Sequence, residues 1–422
     1  MRLNRLMVTL LATLALGSAS AQLPTLQVPQ VQVPGVGPLL PDATRAVEGT
    51  LRELTSARAL RAQRLFRDHR AELDRDPRGE LVVRAEVVAI DIRADALDQA
   101  LAAGFRVLRT QELSDLGVEI TVLQTPEGMT ATRGLKRLRK LDPDGTYDFN
   151  HVYLDSGGAV GGGVQRVVDG SDGTTTPAPG SRVGLIDGGV DETHQAFRNL
   201  RVHRSGCDGK AVPSVHGTAV ASILVSRRTF AELFAADVYC GQPAGGAVDA
   251  VAAAFGWMAR EKVAVINVSL VGPRNALLER VVNTLVARGH VIVAAVGNDG
   301  PASPPLFPAA YGGVIGVTGV DSKHRVLIEA CRGKQVDFAA LGSDVRAAAV
   351  APDQWALVRG TSFAAPLVAT FFSDMQAPSP APRDSVISRL EGITQDLGKP
   401  GRDEVYGAGE LGEPRPEIAA NR

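Results

Sequence analysis

The chain has 422 residues, 45% of them hydrophobic, which is enough for two or three globular units and too apolar for a disordered chain. Its 45 Lys+Arg against 46 Asp+Glu give a formal charge of -1, so no overall field draws it to nucleic acid or to anionic lipid. Three cysteines are too few for a disulfide scaffold, and none lies in a Cys-x-x-Cys pair suited to metal ligation.

At the N-terminus, Arg2 and Arg5 precede an apolar run that ends at Leu16, followed by the small-residue site Ala19-Ser20-Ala21. Residues 1–21 therefore read as a secretory signal peptide, the run being shorter than the ~20 residues a membrane span requires. The mature product is expected outside the cytoplasm, secreted or periplasmic, with no membrane attachment after signal removal. Residues 22–80 hold a Pro-rich leader and then an Arg-rich amphipathic helix expected over 43–76.

The stretch 81–153 reads as strand 81–92, helix 94–103, strands 105–109 and 118–124, helix 129–141 and a strand near 147–153. That β-α-β-β-α-β order predicts a small α+β, ferredoxin-like domain. Gly-rich and polar residues over 154–180 predict a linker. From 181 to 411 the texture changes to unalternating apolar strands (182–186, 233–239, 263–269, 291–296) separated by helices (217–226, 248–260, 276–288). This predicts an α/β domain with a doubly wound, mainly parallel sheet flanked by helices, in which functional side chains gather at the carboxyl ends of the strands. Residues 412–422 read as a loose tail.

Four fragments in this region bear chemically capable residues. Asp187 ends a buried strand in VGLIDGGV, where an acidic turn former would also fit. His216 opens a helix of small residues in VHGTAVAS, a setting that the other histidines lack. Asn298 closes a buried strand in AAVGNDG, where its side-chain amide could donate to an oxyanion or merely make a turn. Ser362 begins a helix in RGTSFAAP, where free N–H groups favour developing negative charge, although a plain N-cap serine would look the same. Coincidence of all four at strand and helix ends of one α/β sheet is improbable.

Together with INVSL, these segments resemble the signature segments of the subtilisin-like serine proteases (peptidase S8 family), over about 181–411. The resemblance implies a subtilisin-like fold and a secreted serine endopeptidase with Ser362 as nucleophile, His216 as general base and acid, and Asp187 as its orienting carboxylate. Asn298 would help form the oxyanion hole. Ser269, Leu270 and Val271 would bind the substrate backbone as an added strand, with Ala295 and Gly297 lining the other side of the primary pocket. It also implies that the 81–153 domain is a propeptide, acting as an intramolecular inhibitor that the enzyme cuts away between about residues 153 and 180. No cofactor or metal is implied, and the expected partners are polypeptide substrates bound by a monomer.

The sequence departs from the family pattern at Gly188, where Thr or Ser usually follows the Asp and steadies its loop, at Val271, where Gly is common, and at Leu367, where His is usual. Cys207 and Cys240 flank the His216 segment and form the preferred disulfide pair, with isolated buried thiols the competing reading. The alternative functions are a pseudoprotease binding module, or a non-proteolytic serine hydrolase using the same three groups.

Overall fold

The computed structural model describes residues 57–156, 158–159, 182–226, 232–376 and 383–412. The signal peptide, the Pro-rich leader, most of the linker and nearly all of the tail expected from the sequence lie outside the described residues. Among the described residues, no helix is long and apolar enough to cross a membrane.

Among the described residues the first element is α1 (Ala57–Asp68). The helix expected to continue to residue 76 stops there instead, and Leu73–Arg75 form strand β1, which pairs with β2 (Leu81–Ile90). Leu73 and Leu81 are buried with Val152 and Leu154, so tertiary burial overrides the helical pattern. Then come α2 (Ala94–Ala102), β3 (Arg106–Leu113), β4 (Val118–Gln124), α3 (Ala131–Leu141) and β5 (Thr146–His151). The antiparallel order β3-β4-β2-β5 is that of the ferredoxin-like unit, with β1 added beside β2. Alternation along β2 sends Val87 and Ala89 to a core shared with Leu135 and Leu138 of α3, and Val88 and Ile90 to the opposite face.

That opposite face packs on the second part of the fold, which is built on seven parallel strands. These are β8 (Arg182–Asp187), β9 (Arg201–Ser205), β10 (Glu232–Asp237), β11 (Val265–Val268), β13 (Val291–Ala295), β14 (Ile315–Val320) and β15 (Phe338–Leu341), in the spatial order β15-β14-β13-β11-β8-β10-β9. Helices α4 (Val215–Leu224), α5 (Val248–Arg260), α6 (Ala276–Ala287), α7 (Thr361–Gln376) and α8 (Arg383–Glu391) cover its two faces. Ile186 joins the core beneath α5 and α6, whereas Val183 and Leu185 join the core with α4 and α7. Gly256 in α5 allows the N-terminal unit to approach closely, since a Cβ there would lie 2.8 Å from Leu113 Cδ2.

The order of the sheet reverses at β8: the chain adds β10 and β9 on one side, then β11, β13, β14 and β15 on the other. Such a reversal opens a crevice at the carboxyl end of the strand, which is where Asp187 stands. Five short strands form two smaller sheets: β6 (Leu154–Asp155) with β12 (Leu270–Val271), and β7 (Gly158–Ala159) with β17 (Trp355–Arg359) and β16 (Val345–Ala348).

Candidate active site

Asp187 is fully buried and accepts the Gly188 N–H through Oδ1 at 2.6 Å. Both its oxygens face His216 Nδ1, at 2.9 and 3.0 Å. His216 is the second residue of α4, a helix capped by Ser214, whose hydroxyl accepts the Gly217 N–H at 2.9 Å. Gly217 makes the approach possible, because a Cβ there would lie 2.1 Å from Gly188 O. A side chain at Gly188 would in turn lie 2.3 Å from Ser214 Oγ. Ser214 fills the space beside Gly188 and ties the loop by donating its N–H to Gly189 O at 2.8 Å.

Ser362 is the second residue of α7 and is fully buried. Pro366 lies one turn further on and has no N–H to offer the Ser362 carbonyl. Ser269 supplies the missing donor, its hydroxyl reaching Ser362 O at 2.9 Å while accepting from Asn267 Nδ2 at 2.9 Å. One side chain of the expected substrate strand therefore also fixes the serine turn. The Ser362 hydroxyl shares a 2.5 Å hydrogen bond with Ser156 Oγ and reaches Ser269 O at 3.2 Å. The rings of His216 and Phe363 are 5.3 Å apart, so the imidazole adjoins the serine turn. Its Nε2 is buried without a hydrogen-bond partner among the described residues, which leaves it as the ring's available proton acceptor.

Gly297, at φ 100°, turns the chain out of β13 after Ala295 and Val296, and its N–H donates to Thr361 Oγ1 at 3.2 Å. The next residue, Asn298, accepts the Thr361 N–H on Oδ1 at 3.1 Å. That bond sets the orientation of the amide and leaves Nδ2 as its donor, beside the N–H groups that open α7.

The chain itself runs through this site, a feature that sequence reasoning did not place. Leu154 and Asp155 pair antiparallel with Val271 and Leu270, and the Ser156 N–H faces Ser269 O at 3.4 Å. On the other flank, Val152 bridges Ala247 and the Tyr153 N–H donates to Gly246 O at 2.8 Å. Beyond Ser156, β7 pairs with Val358 and Arg359 of β17. Tyr153 is fully buried, with its hydroxyl on Pro273 O at 2.6 Å and its ring where a Cβ on Gly272 would fall. Helix α1 lies alongside: Arg61 pairs with Asp155, and Arg58 pairs with Glu80 and Asp299. The sequence gives no local signal for these contacts, since each joins residues far apart in the chain.

Cys207 and Cys240 are joined in a disulfide beside Asp237. Cys331 is free and buried beneath the Gly297 turn, its N–H on Gly297 O at 3.0 Å; burial pushes its thiol up to about 11.

Residues 178–409 match the model of the subtilase family, Peptidase_S8. Over 205 residues the chain is 27% identical to the minor extracellular protease Epr of Bacillus subtilis (strain 168), covering 46% of this chain and 32% of that one. Over 246 residues it is 30% identical to subtilisin BL of Lederbergia lenta, covering 54% of this chain and 88% of that one. The chain thus spans about a third of the first relative and most of the second. In fold it is similar to fervidolysin from Fervidobacterium pennivorans, with a TM-score of 0.65, 18% identity, and coverage of 79% of this chain and 60% of that one. With more than half of its length matched by the family model, and an Asp–His pair beside a serine helix at the sheet's switch point, this chain belongs to the Peptidase S8, or subtilase, family.

Proposed function

We propose that the chain is a secreted serine endopeptidase, made as a precursor whose N-terminal domain occupies and blocks the active site until the enzyme cuts itself. In this reading residues 1–21 are the signal peptide, 22–80 a leader and helix, 81–153 the propeptide, 154–180 the processed linker, 181–411 the peptidase domain and 412–422 a tail. The enzyme acts as a monomer on polypeptides outside the cytoplasm.

Ser362 Oγ attacks the scissile carbonyl as its proton passes to His216 Nε2, and the same proton is later given to the leaving amine. Asp187 holds the imidazole by Nδ1 and stabilises its charged form. Asn298 Nδ2 and the Ser362 N–H receive the oxyanion, so Asn298→Ala should cost about 2.7–4 kcal/mol in the barrier. Substrates bind as an added strand along Ser269, Leu270 and Val271, opposite a wall of Ala295 and Gly297.

The observation that carries this reading is the placement of residues 154–156, laid beside β12 like a substrate strand with Ser156 against the Ser362 hydroxyl. It supports self-cleavage at the Ser156–Gly157 bond. Purified wild-type enzyme should therefore begin at Gly157, while Ser362→Ala should keep its N-terminal domain attached. Normal cleavage of Ser362→Ala would refute self-processing, and a mature N-terminus elsewhere would refute the choice of bond.

A further inference from the structure

The two groups assigned to the oxyanion come from different stretches of chain. Asn298 lies on the turn that leaves β13, whereas the Ser362 N–H follows β17 and Gly360, at φ 138°. Thr361 ties the two stretches directly, its N–H donating to Asn298 Oδ1 and its hydroxyl accepting from the Gly297 N–H. A second tie runs through Glu329 and Arg359. The Glu329 carbonyl accepts the Gly300 N–H at 2.8 Å and the Cys331 N–H donates to Gly297 O at 3.0 Å, so the 329–331 segment braces the Asn298 turn at both ends. The Glu329 side chain, only 5% exposed, holds Arg359, the last residue of β17: Nε meets Oε1 at 2.7 Å and one terminal nitrogen meets Oε2 at 3.0 Å. The other terminal nitrogen donates to Ser343 Oγ at 2.8 Å, next to Gly342, whose carbonyl accepts the Gly360 N–H at 2.8 Å.

We propose that Glu329 and Arg359 are positioning residues for the oxyanion, a bidentate ion pair that fixes the spacing between the Asn298 amide and the Ser362 N–H. The proposal rests on the serine endopeptidase reading above and adds to it two residues that touch no reacting atom. A planar guanidinium forked onto a carboxylate restrains separation and orientation together, which a single ammonium contact does not. Glu329 is buried, so salt screens the pair little. Hydrogen-bond donors stabilise a developing charge because they are fixed before the reaction, and a misplacement of about 1 Å costs on the order of a hundredfold in rate. Loosening this pair therefore acts when the carbonyl oxygen gains charge and leaves binding of the polypeptide strand nearly untouched.

The test compares processed wild type with Arg359→Lys and Glu329→Gln, each matured in trans by immobilised wild type, on one peptide substrate and on a peptide aldehyde whose tetrahedral adduct carries the oxyanion. Each variant should lower kcat about tenfold with KM changed by less than about twofold, and should weaken the aldehyde by about the same factor as kcat. In an Asn298→Ala background the same substitutions should cost no more than about threefold, because one of the two donors they space is already gone. A residue that merely supported the fold would act equally in both backgrounds. Where neither charged-pair variant matures, Ser343→Ala decides: it removes one hydroxyl from Arg359 and should show the same pattern at about two- to threefold. An unchanged kcat, an effect confined to KM, or an effect undiminished by Asn298→Ala would overturn the positioning role and leave the endopeptidase reading intact. Wild type that cleaves no peptide and binds no aldehyde would overturn that reading, and the positioning role with it.

Discussion

The bond between the Ser269 hydroxyl and the Ser362 carbonyl exists because Pro366 cannot donate, and this dependence can be measured. Ser269→Ala removes the donor at 2.9 Å from a fully buried residue and also takes away the acceptor used by Asn267 Nδ2. Leaving a buried carbonyl unpaired costs about 1–3 kcal/mol. Pro366→Ala restores an N–H one helical turn from Ser362, so the carbonyl regains an intrahelical partner. In the Pro366→Ala background Ser269→Ala should therefore cost at least about 1 kcal/mol less than in the wild-type background. Urea unfolding of the four variants, each carrying Ser362→Ala to prevent autolysis, gives the coupling. Strict additivity within about 0.5 kcal/mol would refute the claim that Ser269 takes over the work of the missing proline N–H.

Other expectations follow from single contacts. Tyr153→Ala empties a fully buried aromatic site at a cost of about 3–5 kcal/mol, so the cleaved N-terminal region should inhibit far more weakly in an inhibition titration, and Tyr153→Phe should lose only the bond to Pro273 O. Replacing both Cys207 and Cys240 by Ser should lower stability by about 2–4 kcal/mol, seen as a lower melting temperature, because the disulfide closes a loop spanning a sequence separation of 33. Burial works to raise the Asp76 carboxyl, but His151 and the Glu80 and Arg78 N–H groups outweigh it and hold the group at about 2. With the folded value below the unfolded one of about 3.9, its stabilisation is complete above roughly pH 4 and is lost as pH falls through 2. Thermal melts of the Ser362→Ala precursor between pH 5 and 2 should show this decline, and Asp76→Asn should flatten it.

Much of the fold was legible because its signals are local. Helix 248–260 was read at its observed limits, since a short polar turn precedes it and an apolar strand follows. Buried parallel strands announce themselves as unbroken apolar runs, as in β8 and β13. Strands β14 to β17 did not, because residues 312–360 are rich in Gly and Ala, and these become strand only by pairing with distant neighbours. Short motifs point to the catalytic candidates, yet the sequence alone does not show that Ser214 fills the space beside Gly188, nor that Ser269 answers Pro366. Both contacts cross between elements, and only the packed structure brings the partners together. The same holds for Arg58 and Asp299, and for the pairing of Leu154 and Asp155 with β12.

The most direct test of the central claim is fluorophosphonate labelling followed by peptide mapping. Processed enzyme should be labelled on Ser362 alone, and His216→Ala, matured in trans by active wild type, should label at least a hundredfold more slowly. The uncut precursor, whose Ser362 hydroxyl is buried against Ser156, should resist the reagent. Processed enzyme that stays unlabelled, or that labels as fast without the imidazole, would contradict an Asp187–His216–Ser362 catalytic unit.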